Sequence, residues 1–190
     1  MIFYKFLRTL YLFYTITFNG VNSTHSTNDI TTVDIDPTFY TGTWYQTYGD
    51  SFITSTFEKD AFCVYANYSL LNDNTIGVYN WERIGSVTGQ PQNISGYAFI
   101  TDNPGQLYVF LSGNFPAPYW VIKTGPVVDK EYQYSIVTDP YMLGLYVLVR
   151  NVNTFYELYN DEVIEFLDEN HFTSIYNKPV QIIQENCTYE

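Results

Sequence analysis

The sequence predicts an all-β fold, an eight-stranded antiparallel up-and-down barrel with one C-terminal α-helix packed outside it. Three observations carry this. Aromatic residues make up 19% of the 190-residue chain, with Tyr 20, Phe 14 and Trp 3, and flat or β-branched side chains suit a half-buried pleat. Gly, Pro, Asn and Asp cut the chain between Tyr45 and Gln184 at short intervals, which is the punctuation of hairpins rather than of parallel crossovers. One stretch near the C-terminus instead spaces its apolar residues as a helix does. Closing the meander removes its exposed edges and leaves a cavity for one small ligand.

Two cations, Lys5 and Arg8, precede a mostly apolar run from Thr9 to Phe18. This reads as a secretory signal peptide over residues 1–23, with the cleavage boundary between 20 and 26. A spanning helix needs about 20 apolar residues, and Asn19, Asn22, Ser23 and Thr24 arrive too early. An N-terminal segment, 24–38, then leads into a barrel domain, 39–190. The net charge of −12 becomes more negative once Lys5 and Arg8 are removed. So acidic a surface repels phosphate backbones and offers membranes no polybasic patch, so no nucleic-acid partner is expected.

The strands follow in order. Thr43–Tyr48, Phe62–Leu71, Ile76–Arg83 and Ile94–Thr101 form the first half, and Leu107–Ser112, Tyr119–Thr124, Tyr132–Val137 and Leu145–Arg150 the second. Asn72-Asp73-Asn74 and Asp102-Asn103-Pro104-Gly105 supply turn dihedrals between them. Phe155, Leu158, Tyr159, Val163, Phe166 and Leu167 make the apolar stripe of the helix. Thr154 with Glu157 reads as its capping box, Asn170 suits its end, and Asp161, Glu162, Glu165, Asp168 and Glu169 form its wet face. A last strand is expected over Ser174–Gln184.

In an oxidising compartment Cys63 and Cys187, the only cysteines, are expected to pair. Asn22, Asn67, Asn93 and Asn186 open N-glycosylation sequons. A glycan on Asn67 must point outward, so Val64, Ala66 and Tyr68 point inward by alternation. On the next strand Ile76, Val78 and Asn80 share one face, and Tyr79 and Trp81 the other. On the fifth strand Leu107, Val109 and Leu111 oppose Tyr108 and Phe110. Alternation alone does not choose between these faces.

Gly42-Thr43-Trp44-Tyr45, with Phe39 and Tyr40 before it, is a G-x-W opening on the first strand. Together with eight strands, a late helix and Arg150 ending the eighth strand, it resembles the lipocalin family. The stretches 63–70, 117–122 and Asn186-Cys187 are similar to the apolipoprotein D group of that family. The family's T-D-x motif is represented only by Thr124, and Thr138-Asp139-Pro140 is read as a turn. The resemblance implies a pocket at Tyr68, Asn80, Leu111 and Tyr146, and hence on the faces of Ala66, Val78 and Val109. It also implies a structural closed end at Gly42, Trp44 and Arg150, with the guanidinium over the indole.

The expected function is that of a secreted carrier for a small hydrophobic ligand such as a sterol, fatty acid, retinoid or pigment. No cofactor or metal is implied, because no metal cluster or phosphate loop is seen. Catalytic residues are not expected: Cys63 is expected to be bonded, and His171 follows the external helix. The alternatives are a lipid isomerase and an extracellular module that binds glycans or a partner through aromatic platforms. At the open end Phe52, Ile53, Phe57, Phe115, Pro116, Tyr141, Met142 and Leu143 form an apolar rim for a membrane, lipoprotein or receptor contact.

Overall fold

The computed structural model describes residues 30–111 and 115–189. The expected signal peptide, the Asn22 sequon and Ser112 lie outside them. The short helix α1 (Pro37–Tyr40) leads into β1 (Gly42–Asp50), and α2 (Ser51–Ser55) follows. A meander then runs through β2 (Ala61–Asn72), β3 (Thr75–Ile84), β4 (Gln90–Ile100), β5 (Gln106–Leu111) and β6 (Ala117–Thr124). The two-residue strands β7 (Val127–Val128) and β8 (Glu131–Tyr132) form a small hairpin before β9 (Tyr134–Thr138) and β10 (Tyr146–Val149). Each long strand pairs antiparallel with the next, and β10 pairs back onto β1, which closes an eight-stranded barrel.

Closure settles the two ambiguous faces. Ile76, Val78, Leu107, Val109 and Leu111 join the interior cluster with Ala66 and Tyr68. Tyr65, Trp81 and Tyr79 pack together on the outer wall, beside the disulfide. Asn67 and Asn93 are exposed, as is Asn186.

Helical structure follows β10 as expected, with three corrections. The N-cap is Asn151, whose side chain accepts from the Thr154 N–H at 2.9 Å. Thr154 therefore lies inside the first turn, and the Thr154–Glu157 capping box does not form. The helix breaks at Tyr159 (φ −123°, ψ −15°) into α3 (Val152–Leu158) and α4 (Asn160–Glu169). The break restarts the helical phase, so Phe155, Val163 and Leu167 are buried while Leu158 is 63% exposed. Asn170 is the C-cap. The helical pair lies on the outer wall, where Tyr134 and Tyr48 pack against Phe155 and Lys123 pairs with Glu162 at 2.8 Å.

The last strand is far shorter than Ser174–Gln184. The Asn177 side chain accepts from the Ser174 N–H and hydroxyl. That holds a turn, and only β11 (Pro179–Gln181) pairs, on the free side of β1's last residues. Beyond it Gln184 donates to the carbonyls of both Gln46 and Val64, and Cys187 bonds Cys63 with a sequence separation of 124.

The bridge pins the tail to β2 across nearly the whole described chain, so the unfolded state without it gains much loop entropy. Replacing Cys63 and Cys187 together by Ala is expected to cost about 2–5 kcal/mol in chemical unfolding. A loss under 0.5 kcal/mol would mean that the strand β11 and Gln184 hold the tail unaided.

Candidate functional site

One end of the barrel is sealed. Val33 and Ile35 enter the interior cluster, and the Val33 N–H donates to the Val121 carbonyl at 2.9 Å. Asp36 caps α1 and delivers Tyr40 into the barrel, where its ring lies 6.0 Å from Tyr68. Trp44, fully buried, donates from Nε1 to the Tyr40 carbonyl at 2.8 Å. Arg150 sits over that indole, its Cζ 3.7 Å from the ring centroid. Its guanidinium donates to the carbonyls of Phe39, Thr41, Thr43 and Tyr132. Gly42 (φ +95°) admits this approach, since a Cβ there would stand 3.1 Å from Arg150 Nη1.

Above the seal lies a cavity of about 10 Å³, room for roughly one water. Tyr40, Tyr68 and Tyr119 line it on one side, and Ile76, Val78, Ala98, Leu107 and Val109 on the other. The three tyrosine hydroxyls form a chain: Tyr40 to Tyr119 at 2.9 Å and Tyr68 to Tyr119 at 3.4 Å, with Ser135 joined to Tyr40 at 2.6 Å. Burial pushes the Tyr68 phenol up to about 12 and lifts those of Tyr40 and Tyr119 well above the usual value, so all three stay neutral donors and acceptors.

Towards the mouth the interior turns acidic. The inward ladder of β3 runs Ile76, Val78, Asn80, Glu82, and Gln46 takes the inward place two residues beyond Trp44. Glu58, from the turn after α2, accepts from Gln46 Nε2 at 2.6 Å. Burial pushes the Glu58 carboxyl up to about 8, and the nearby charges of Glu82 and Asp50 add to it. Glu82 is raised to about 7 by burial. Asp50 is fully buried and caps α2 through Ile53 N at 2.7 Å. Its carboxyl also rises to about 7, driven by burial and by Asp139 against the N-cap bonds. Asp139, itself raised by burial, holds the β9–β10 turn by accepting from the N–H groups of Tyr141 and Leu143. Tyr146 stands among these groups: burial lifts its phenol far above the usual value, and Glu58, Asp50 and Asp139 lift it further.

Of the residues expected in the pocket, Tyr68, Val78 and Val109 line the cavity. Ala66 is buried in the same interior cluster, with Leu111 and Tyr146 packed against it. Asn80 faces inward above Val78, and its buried Oδ1 has no hydrogen-bond partner. The rim is mixed. Phe115, Tyr141 and Leu143 are 44–48% exposed, but Ile53 is only 3% exposed and is not part of an outward rim. It turns inward because α2 folds back on the β9–β10 loop: atoms of Ile53, Asp139 and Tyr146 all lie within 4 Å of where a Cβ on Gly144 would sit.

A family model for the lipocalin-like domain matches residues 34–174. The chain belongs to the lipocalin family. By sequence no curated protein matches it. Among solved structures the fold is similar to the allergen Per a 4 from cockroaches, at 20% identity and TM-score 0.56, over 80% of this chain and 90% of that one. Japanin from Rhipicephalus appendiculatus, bound to cholesterol, gives 17% identity and TM-score 0.53, over 80% and 98% of the two chains. The tryptamine complex of the amine-binding protein of Rhodnius prolixus gives 15% and 0.55, over 87% and 90%.

For this lipocalin, sequence reasoning missed Tyr40 and Tyr119 as cavity walls and the carboxylates of the mouth. Glu82 was within reach, because it continues the Val78–Asn80 alternation. Glu58 was not, because no periodicity aims a residue in a loop.

Two tests follow from the geometry. Trp44→Ala is expected to cost about 3–5 kcal/mol and Arg150→Ala about 2–4 kcal/mol, since four carbonyls lose a charged donor. The double variant should fall short of the sum in chemical unfolding, as shared contacts require; strict additivity would show the two side chains to be independent. The second test is of pH. Glu58, Glu82 and Asp50 keep their protons to higher pH folded than unfolded. The unfolded chain therefore binds fewer protons between about pH 4 and 8, and stability falls as pH rises through that window. Glu58→Gln should add ~2 kcal/mol at pH 8.5 and flatten the fall. Thermal unfolding at pH 5 and pH 8.5 reads both; an unchanged slope would place the Glu58 carboxyl in water.

Proposed function

We propose that this lipocalin is a secreted carrier that holds one small, mostly apolar ligand inside its barrel. The observation that carries the reading is the cavity above the Trp44–Arg150 seal, walled by aliphatic side chains and by three tyrosines whose hydroxyls bond one another at its border. Small-molecule pockets combine apolar walls with a few polar groups in this way. Secretion is supported by the disulfide and by the exposure of Asn67, Asn93 and Asn186, the expected glycan sites. No helix among the described residues is long and apolar enough to cross a membrane. The stretches similar to the apolipoprotein D group support a lipid, sterol or pigment as cargo, and the structural neighbours hold cholesterol in one case and tryptamine in another.

The cavity as it stands admits about one water, so a guest enters by displacing side chains and the α2 loop, as ligand-bound minor states do. A guest that loses about 200 Å² of apolar surface gains about 5 kcal/mol before the cost of association. Burial alone thus gives weak binding, and a polar contact has to supply the rest.

A second reading has its own observation. On the outer wall of β4 and β5, Tyr97, Phe99 and Tyr108 are 39–45% exposed, and Tyr97 stacks on Phe110 at 5.1 Å. Such a platform suits a glycan or protein partner.

Delipidated protein titrated with a sterol, a fatty acid and a retinoid, followed by intrinsic fluorescence, separates the two. Val109→Phe fills the cavity and is expected to weaken binding at least tenfold with the circular dichroism unchanged. Saturable binding that survives this change moves the ligand to the outer wall, and its absence across the panel refutes the carrier.

A further inference from the structure

Of the three sequons among the described residues, the one at Asn186 is built unlike the other two. Asn67 and Asn93 are exposed on the strands β2 and β4, and no covalent link holds either sequon. A hairpin that is not yet part of a closed barrel is marginal. Both sequons therefore stay open to an enzyme while later strands are still being made.

At Asn186-Cys187-Thr188 every residue is tied. The Asn186 backbone is left-handed, with φ +59°. Cys187, the middle residue, is bonded to Cys63. The Thr188 carbonyl accepts from Arg83 Nη2 at 3.1 Å and Nε at 3.3 Å, and its hydroxyl accepts from Nη2 at 3.4 Å. Arg83 is itself buried and lies over Trp81, its Cζ 5.0 Å from the ring centroid. The flanks are anchored too. Gln184 donates to the carbonyls of Gln46 and Val64, and the Tyr189 ring lies 4.9 Å from Tyr45 and 5.6 Å from Tyr65.

The Asn186 side chain is exposed, but glycan transfer needs more than a reachable amide. An enzyme that reads the sequon must take the Asn amide and the Thr hydroxyl together, on a chain it can reshape. Here the hydroxyl is turned to Arg83, and the residue between cannot move without breaking a covalent bond. Every tie also precedes the sequon, Arg83 by 105 residues and Cys63 by 124. The partners of Cys187 and Thr188 are thus waiting when the sequon is made.

We propose that Asn186 is a conditional glycosylation site, modified only on chains whose Cys187 has not yet bonded Cys63. This rests on the secretion reading and goes beyond it. Two reactions compete for the segment. In one, the anomeric carbon of a lipid-diphosphate-linked oligosaccharide forms a bond to Asn186 Nδ2, its bond to the diphosphate oxygen breaks, and the amide gives up one proton. In the other, the Cys63 and Cys187 thiols exchange with the disulfide of an oxidoreductase; two electrons and two protons pass to that donor, which leaves as a dithiol. The second reaction seats Thr188 on Arg83 and ends the first. A free Cys187 leaves the sequon loose enough to be used.

The test is expression of the full chain in secretory eukaryotic cells. Glycans are then removed by an amidase in heavy-oxygen water, which marks each formerly glycosylated Asn as labelled Asp. Peptide mass spectrometry of total cell protein, exported or not, reads the three sites separately. Asn67 and Asn93 should be marked on most chains and Asn186 on few. Synthesis under dithiothreitol, or the variant Cys63→Ala, which leaves the sequon intact, should raise Asn186 at least fivefold relative to Asn93. Adding Thr188→Ala to Cys63→Ala should remove the gain.

Asn186 marked as fully as Asn93 in the unmutated chain overturns the proposal and leaves secretion standing. So does low occupancy that neither dithiothreitol nor Cys63→Ala changes, since a free Cys187 would then make no difference to the sequon. No mark at any of the three sites means that the chain does not enter the glycosylating compartment, and secretion and the conditional site both fall.

Discussion

Arg150 is the point on which the barrel closes. Its guanidinium lies against Trp44 and donates to carbonyls of Phe39, Thr41, Thr43 and Tyr132. It thereby joins the segment before β1, the start of β1 and the small hairpin before β9 at one place. Carbonyls that leave a helix end or a strand end need donors, and a planar, always-charged fork satisfies several at once, with the Glu131 carboxylate close by. With that end fixed, Tyr40 can enter as a plug, the tyrosine hydroxyls can line up behind it, and the cavity acquires a floor.

The two ends of the barrel obey opposite electrostatic rules. At the floor a cation is held by carbonyls and an indole face, with one carboxylate, Glu131, near it. At the mouth carboxyls are held by burial with little to answer them, and their proton affinities rise accordingly. The ionisable groups of the interior are therefore segregated along its axis, Arg150 below and the carboxyls above. A dipolar or amphiphilic guest would be oriented before any contact is optimised.

Much of the barrel was legible because alternation and turn chemistry are local. All eight expected strands fall on barrel strands, and Asn67 gave the correct inward face of β2. The wall choices on β3 and β5 were not legible, since both faces of each are apolar and only the closed sheet distinguishes them. The helix was found, but its start was misplaced, because Asn151 outcompetes Thr154 once Arg150 fixes where β10 ends. The break at Tyr159 left no signal in the stripe, which reads through it. The mouth depends on tertiary placement: Glu58 and Asp139 are turn residues in sequence, and only the fold of α2 over the β9–β10 loop makes them neighbours of Tyr146.

The position of Arg150 also sets a timetable. Its bonds to the carbonyls of Phe39, Thr41 and Thr43 span 107 to 111 residues, and the disulfide spans 124. During synthesis β1 is thus made long before β10, which covers its second edge, and β11, which completes the edge it shares with β2, leave the ribosome. Until they do, β1 is an open strand edge, the kind that pairs with other chains. Contacts this distant in sequence also form slowly. Closure of the barrel therefore waits until β10 and Arg150 have been made, roughly 10 s after β1 at about 10 residues per second.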